Sequence, residues 1–278
     1  RTGARLCTVS RYRSPAGPMK ITIDTAASTL DVQGDDGSWQ QHPLYSAPAF
    51  RLLSGVWLKQ EWALLHWQSF SWLGFQLWQL PDDVLRLAEV IHTVQPDVII
   101  ETGVNRGGSA VLFATLCRAL GKGRVVSIDI RIPQEVRDAV AASPLGDLIT
   151  LIEGDSAAPT VVDRVRREVG AGESVLVFLD SDHSKDHVRR ELEAYGPLVT
   201  PGSYIVAADG VMQDLTDTPL GHVHWRDDNP AAAARAFALD HPEFVIRRPA
   251  ARFNDHLAPD NLTYWPDAWL LRLGGPVP

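Results

Sequence analysis

Residues Val98–Ser109 read Val-Ile-Ile-Glu-Thr-Gly-Val-Asn-Arg-Gly-Gly-Ser, an apolar β-branched run that breaks into a glycine-rich turn. The turn opens Ala110–Leu120, where Val111, Ala114, Cys117 and Leu120 recur at helical spacing and Gly121 stands in the C-cap position. A strand–turn–helix unit of this kind is the seed of a parallel α/β sheet. It brings bare backbone close to a ligand at the positive end of a helix. Alone, it specifies a nucleotide-like ligand and no more.

The identity of that ligand is narrowed by what the turn lacks. A dinucleotide fingerprint wants three glycines, the middle one letting a pyrophosphate touch the backbone. Gly103 and Gly108 fit the outer positions, but Asn105 stands at the middle. S-adenosylmethionine has no pyrophosphate; it has an ammonium and a sulfonium, both of which favour a nearby carboxylate. Glu101, just before the turn, is placed to supply one, with Gly103, Asn105, Gly108 and Ser109 lining the turn. Asp129 ends the next apolar run, Val125–Asp129, where an acid holds two ribose hydroxyls. Asp155 and Ser156 follow a third apolar run, at the edge where an adenine lies. A nicotinamide-dependent oxidoreductase is disfavoured by Asn105. A catalytically silent S-adenosylmethionine-binding helper would keep the same residues and stays open, since fold does not secure function.

Composition narrows the class. The chain has 278 residues, 45% of them hydrophobic, with a formal charge of −8. That is enough for one large α/β domain plus an appendage, with no net positive field to draw nucleic acid or an anionic membrane. Only two cysteines occur, Cys7 and Cys117, so a disulfide framework is not expected and a cytoplasmic setting is. No apolar run approaches membrane-spanning length and the first residues lack a signal-peptide core.

Along the chain, Arg1–Pro18 is basic and aperiodic and reads as a tail. Residues 19–80 read as a small hairpin over Lys20–Val32, turned near Ala26–Ser28, followed by a tryptophan-rich helical cap. The cap carries Trp57, Trp62, Trp67, Trp72 and Trp78, with Phe70 and Phe75. Its rings are expected to pack on the main domain, to wall an acceptor pocket or to meet a second subunit in a homo-oligomer. Residues 81–278 read as the cofactor-binding domain. Its first helix opens at Pro81 with Asp82 and Asp83, and strands at 97–101, 124–129, 148–153, 174–179 and 203–208 alternate with helices. Two apolar runs, Glu243–Ile246 and Ala268–Leu273, close the sheet as antiparallel strands.

A second constellation, Leu179-Asp180-Ser181-Asp182-His183-Ser184, stands at the tip of the fourth of these strands, and Ala208-Asp209-Gly210 at the tip of the fifth. Neighbouring tips bring Asp180 and Asp209 within reach of one hard cation, magnesium or manganese, which lowers the pKa of a bound hydroxyl. Asp180 also counts among the cofactor contacts. His183 is the candidate general base. Asp182 either adds a metal ligand or caps the following helix with Ser184. His187, one turn on, reads as surface.

These segments, with Pro201–Val206, Trp225…Asp228-Asn229-Pro230, His241–Phe244 and Tyr264-Trp265-Pro266, resemble the cephalosporin hydroxylase/rhamnosyl O-methyltransferase family over roughly Lys20–Leu273. The resemblance implies an α/β fold: a Rossmann-like class I methyltransferase sheet, mostly parallel with an antiparallel final strand, carrying a small Trp-rich N-terminal cap. It implies S-adenosylmethionine on Glu101, Gly103 and Asp129, often magnesium on Asp180 and Asp209, and a sugar hydroxyl on a glycosylated natural product as acceptor. One departure stands out. Related metal-dependent enzymes carry two adjacent ligand residues at the end of the fifth strand, whereas Ala208 leaves only Asp209. Nothing in the chain supports iron oxidation chemistry.

Overall fold

A computed structural model describes residues 20–250, 253 and 262–274. The tail Arg1–Pro18, Cys7 among it, lies outside the described residues. Strands β1 (Lys20–Asp24) and β2 (Thr29–Gln33) form the expected hairpin. Asp24 Oδ1 closes its turn by accepting the N–H groups of Ala26 at 2.9 Å and Ala27 at 2.8 Å. A third strand, β3 (Trp39–Pro43), pairs antiparallel with β2. Its polar Trp-Gln-Gln-His-Pro sequence is mostly exposed and lacks the alternation that marks a half-buried strand. This first compact unit ends at Leu58 and a second begins at Lys59, both within helix α1 (Ala47–Ala63).

The tryptophan-rich stretch is helical only in part. After α1, Leu65 turns left-handed at φ 54° and a single 3-10 turn follows at His66–Ser69. A two-stranded ribbon then pairs β4 (Ser71–Trp72) with β5 (Phe75–Gln76), its reversal made by Leu73 and Gly74, both at positive φ. Aromatic side chains fit a ribbon as readily as a helix, which is why their density left the element type undecided.

From Pro81 onward strands and helices alternate as expected. Helix α2 (Pro81–Val94) precedes β6 (Val98–Thr102), α3 (Gly108–Leu120), β7 (Arg124–Asp129), α4 (Gln134–Ala142) and β8 (Ile149–Glu153). Then come α5 (Pro159–Arg167), β9 (Val175–Leu179), α6 (Lys185–Tyr195), β10 (Tyr204–Ala207), α7 (Pro230–Asp240), β11 (Phe244–Ile246) and β12 (Trp269–Arg272). Among the described residues, seven of these strands form one sheet in the order β11-β12-β10-β9-β6-β7-β8. Strands β6 to β10 run parallel, while β12 runs antiparallel to both β10 and β11. This is the mostly parallel sheet with an antiparallel final strand that the resemblance implies. Strands β6 and β9 are buried along their whole length, because helices cover both faces and demand apolar runs rather than alternation. Val98, Ile100, Val177, Leu179, Leu192 and Phe237 belong to one continuous core.

The strand order reverses between β6 and β9, and in open sheets such a reversal opens a crevice at the carboxyl ends. There the two tips are held against each other. Asp180 N–H donates to Thr102 O at 2.9 Å, while on the other side of β6 Gly103 N–H donates to Ile128 O of β7 at 2.7 Å. Gly103 sits at φ 94°, and a Cβ added to it would lie 2.0 Å from Asp180 O. Two separate penalties therefore fall on any side chain here, left-handed strain and overlap with backbone that has nowhere to move. Gly103→Ala is expected to cost about 3 kcal/mol or more of folding stability in urea unfolding. A loss below about 1 kcal/mol would show that the tips separate freely and would contradict this packing.

Candidate functional site

Above the reversal lies a cavity of about 810 Å³ within the second unit, lined by the glycine turn, the tips of β7 to β10, and aromatic rings. It falls within the size range of small-molecule sites. Gly103, Asn105, Gly108 and Ser109 all line it. Asn105 is left-handed at φ 44°, a conformation that asparagine tolerates better than most side chains. Its N–H donates to Asp129 Oδ2 at 2.9 Å, and Arg131 N–H donates to Oδ1 at 3.1 Å. Asp129 is thus oriented by two backbone groups and keeps its remaining lone pairs at the cavity wall. At the far end, Asp155 Oδ1 accepts Ala157 N–H at 2.9 Å in a tight turn that presents Ser156 beside it.

Glu101 lies beneath the turn, fully enclosed rather than at the cavity wall. Ser127 Oγ donates to its Oε2 at 2.6 Å, while Oε1 is buried and has no partner among the described residues. Burial pushes this carboxyl up to about 7; the hydroxyls of Ser109 and Ser127 favour the ionised form, and Asp129 adds repulsion. The Ser109 hydroxyl acts here without a hydrogen bond of normal geometry.

Across the cavity, a ligand atom from each of Asp180, His183 and Asp209 lies within 4.8 Å of the others. Asp209 holds a left-handed φ of 61°, which turns its carboxylate toward His183, with Nε2 and Oδ2 3.5 Å apart. Burial holds the Asp180 carboxyl well above the usual range, and Asp209 and Glu101 reinforce the shift by like-charge repulsion. Asp209 is raised by burial and lowered by His183. Two half-buried acids this close repel one another, an arrangement that a bound cation would relieve. Asp182 stays outside this trio. Its Oδ1 accepts Ser184 N–H at 2.8 Å in the turn before α6, and Asp228 Oδ1 accepts the first helical N–H, that of Lys185, at 2.7 Å. Ala208 is buried and offers no ligand atom.

Several cavity residues carried no signal in the sequence. Gln79 Nε2 donates to Asp180 Oδ2 at 2.6 Å. It precedes α2 by two residues and nothing local announces its reach. His187, expected on the surface, lines the cavity beside Ser156. Tyr264 N–H donates to the buried Asp83 carboxylate at 2.7 Å, which Thr263 Oγ1 also reaches, fixing Tyr264 at the cavity edge. Trp62, Trp67 and Trp78 complete that edge, with Trp62 and Tyr264 ring centroids 5.5 Å apart, edge to face. The indole N–H groups of Trp67 and Trp78 and the Tyr264 hydroxyl are buried with no partner among the described residues. Trp72 points elsewhere, donating to Thr115 at 3.0 Å, and Trp57 is exposed.

Comparison with known proteins follows the same lines. A profile described as Rhamnosyl O-methyltransferase/CmcI matches residues 65–273. The "Rhamnosyl O-methyltransferase" of Mycobacterium leprae (strain TN) is 32% identical over 145 residues, 51% of this chain and 61% of that protein. Its namesake in Mycobacterium tuberculosis (strain ATCC 25618 / H37Rv) is 29% identical over 147 residues, 52% of this chain and 58% of that protein. The match thus spans about three-fifths of the length of these curated relatives. A solved structure described as "cmcI-D160 Mg-SAM" overlays with a TM-score of 0.48 and 16% identity, covering 74% of this chain and 78% of that one. Among the described residues, no helix is long and apolar enough to cross a membrane.

The Glu101 carboxyl yields a test of the site's electrostatics. Folding raises its pKa from the ordinary 4.5 to about 7, so the folded state keeps the proton longer than the unfolded chain. Its contribution is constant below pH 4.5, costs stability as pH rises from there to about 7, and is constant again above. Glu101→Gln lacks this loss. The stability of the variant relative to wild type is expected to grow by about 3 kcal/mol across that window, measured by denaturation at a series of pH values. A difference that does not change with pH would contradict a desolvated carboxyl at this position.

Proposed function

The chain belongs to the rhamnosyl O-methyltransferase/CmcI family, and from that premise we propose that it is an S-adenosylmethionine-dependent O-methyltransferase, assisted by a divalent cation. The acceptor on this reading is a hydroxyl of a sugar or of a glycosylated small natural product. One observation carries the reading. A single cavity is bounded on one side by the glycine turn with Asp129, and on the other by Asp180, His183 and Asp209.

The residues present fit both groups. Glu101 is a fully buried acid beneath the glycine turn, and when ionised its negative charge favours a cationic ligand end seated on the turn above it. Burial raises the Asp180 and Asp209 carboxyls, and their oxygens suit a hard cation. With Ala208 in place of a second adjacent acid, Asp180 and Asp209 would hold the cation with fewer protein ligands than the family pattern provides. When bound, the cofactor supplies an activated methyl group and the cation supplies Lewis acidity toward a hydroxyl.

The chain's own residues do the rest. Asp129 would take the ribose hydroxyls, its carboxylate pre-oriented by the N–H groups of Asn105 and Arg131. His183 Nε2 would receive the proton of the acceptor hydroxyl, and Asp209 at 3.5 Å would stabilise the resulting imidazolium. Gln79 holds the Asp180 carboxylate in one rotamer. The flat faces of Trp62, Trp67 and Trp78 suit the apolar face of a sugar ring, and the unpartnered N–H groups of Trp67 and Trp78, with the Tyr264 hydroxyl, suit its oxygens. No covalent intermediate is needed, so orientation and electrostatics account for most of the rate. A homo-oligomer in a reducing cytoplasm belongs to the same proposal, supported by the exposed Leu64 and Leu65 just after α1 and by a free, buried Cys117.

Methyl transfer to a panel of glycosides tests this reading. Activity is expected to fall on chelation and return with magnesium or manganese, and Asp180→Asn should cost about a hundredfold or more in turnover while Asp182→Asn costs little. His183→Ala should lower turnover by about 10²–10⁴ and leave cofactor affinity nearly unchanged. Full activity in excess chelator, with Asp180→Asn still active, would overturn the cation's part. No methyl transfer to any glycoside would overturn the acceptor class.

A further inference from the structure

Helix α6 carries three polar side chains at four-residue intervals, His187, Glu191 and Tyr195, on the face that buries Val188 and Leu192 in the core. Glu191 is fully buried, yet the chemistry described above does not use it. Its Oε1 accepts the Ser156 hydroxyl at 2.5 Å and the Ser181 hydroxyl at 2.7 Å. These two serines come from the tips of different strands, β8 and β9, and both line the cavity. Tyr195 OH donates to Ser156 O at 2.6 Å, so the backbone at that tip is held from the same helix. A buried carboxylate inside an apolar stripe is expensive, and an aliphatic residue would pack α6 more cheaply. Its retention here points to what it does to the two hydroxyls.

The hydrogens can be assigned from the partners. An arginine only donates, and Arg190 Nη2 lies 3.0 Å from His187 Nδ1, so Nδ1 accepts and Nε2 carries the hydrogen. That N–H faces Ser156 Oγ at 3.1 Å and Glu191 Oε1 at 3.3 Å. A carboxylate only accepts, so the hydroxyl hydrogens of Ser156 and Ser181 both point at Glu191. What the two serines have left to offer the cavity is lone pairs. This end of the cavity is therefore a wall of acceptors with no hydroxyl donor.

We infer that Glu191 is a positioning residue that locks Ser156 and Ser181 as hydrogen-bond acceptors, so that this end of the cavity selects a purine bearing a 6-amino group over its 6-oxo counterpart. The inference rests on the S-adenosylmethionine reading of the cavity and adds to it the residue that reads the base. An amino group meets the lone pairs with a hydrogen; a carbonyl meets them with repulsion and leaves them unpaired, which is the stronger form of discrimination.

Calorimetric titration of the full chain with S-adenosylhomocysteine and with S-inosylhomocysteine tests it. Wild type is expected to prefer the adenosyl compound at least tenfold. Glu191→Gln, whose amide can donate to the serines and free their hydroxyls to turn, should cut that preference at least fivefold. Ser156→Ala removes one acceptor while Ser181 and His187 still reach Glu191, and should cut it as well, which keeps the test alive if the Gln variant folds poorly. A residue with only a structural role would lower the melting temperature and weaken both ligands alike, leaving the ratio in place. A ratio unchanged in both variants, or a wild type without preference, overturns the inference and leaves the cofactor reading standing. A wild type that binds neither compound overturns the cofactor reading itself.

Discussion

The carboxyl edge of the sheet depends on how closely β6 and β9 approach where the strand order reverses. Gly103 has no side chain because Asp180 O occupies the place a Cβ would take. The hydrogen bond from Asp180 N–H to Thr102 O then fixes where β9 ends relative to β6. Because the two tips are locked together, the glycine turn on one side and the acid–imidazole trio on the other face the same space. Every proposed contact in the cavity follows from that juxtaposition. A looser joint would leave the same residues present and out of register with one another.

The edge is also where the fold gives up stability. Asp83, Glu101, Asp180 and Glu191 are buried or nearly so, and burial pushes the first three carboxyls upward. Asp209 adds like-charge repulsion to the burden on Asp180 rather than relieving it. Each of the four has hydrogen-bond donors, Thr263 and Tyr264 for Asp83, Ser127 for Glu101, Gln79 for Asp180, and two serines for Glu191. Those donors orient the acids without neutralising them. An apolar core of Val, Ile and Leu beneath the sheet offsets the cost, and the unbalanced charge is left available to bound cations.

What could be read in the sequence follows the physical range of each interaction. Fully buried parallel strands announce themselves as apolar β-branched runs, so β6 to β10 fall within a residue or two of their expected positions. Asp129, Asp155, Asp180 and Asp209 follow in turn, because a parallel sheet gathers residues at and just beyond its strand ends into one place, whereas Glu101 lies inside β6, enclosed beneath the turn. The missed features have other causes. Strand β3 is polar and exposed, so it leaves no pattern, and the ribbon β4–β5 hides inside an aromatic stretch compatible with either element. Gln79, Tyr264 and the Glu191 network act through contacts between segments far apart in the chain, which no local spacing encodes. His187 looked like surface because α6 is polar on average; its placement depends on Glu191, whose own burial only the packing reveals.

The most direct test of the account is a crystal structure of the full chain with S-adenosylhomocysteine and magnesium. The ligand is expected in the cavity above the strand reversal, its amino-acid end at the Gly103–Gly108 turn above Glu101 and its ribose on Asp129. A cation is expected between Asp180 and Asp209 with His183 beside it. A ligand bound away from Asp129, or one whose amino-acid end lies far from the Gly103–Gly108 turn, would contradict the proposed cofactor site.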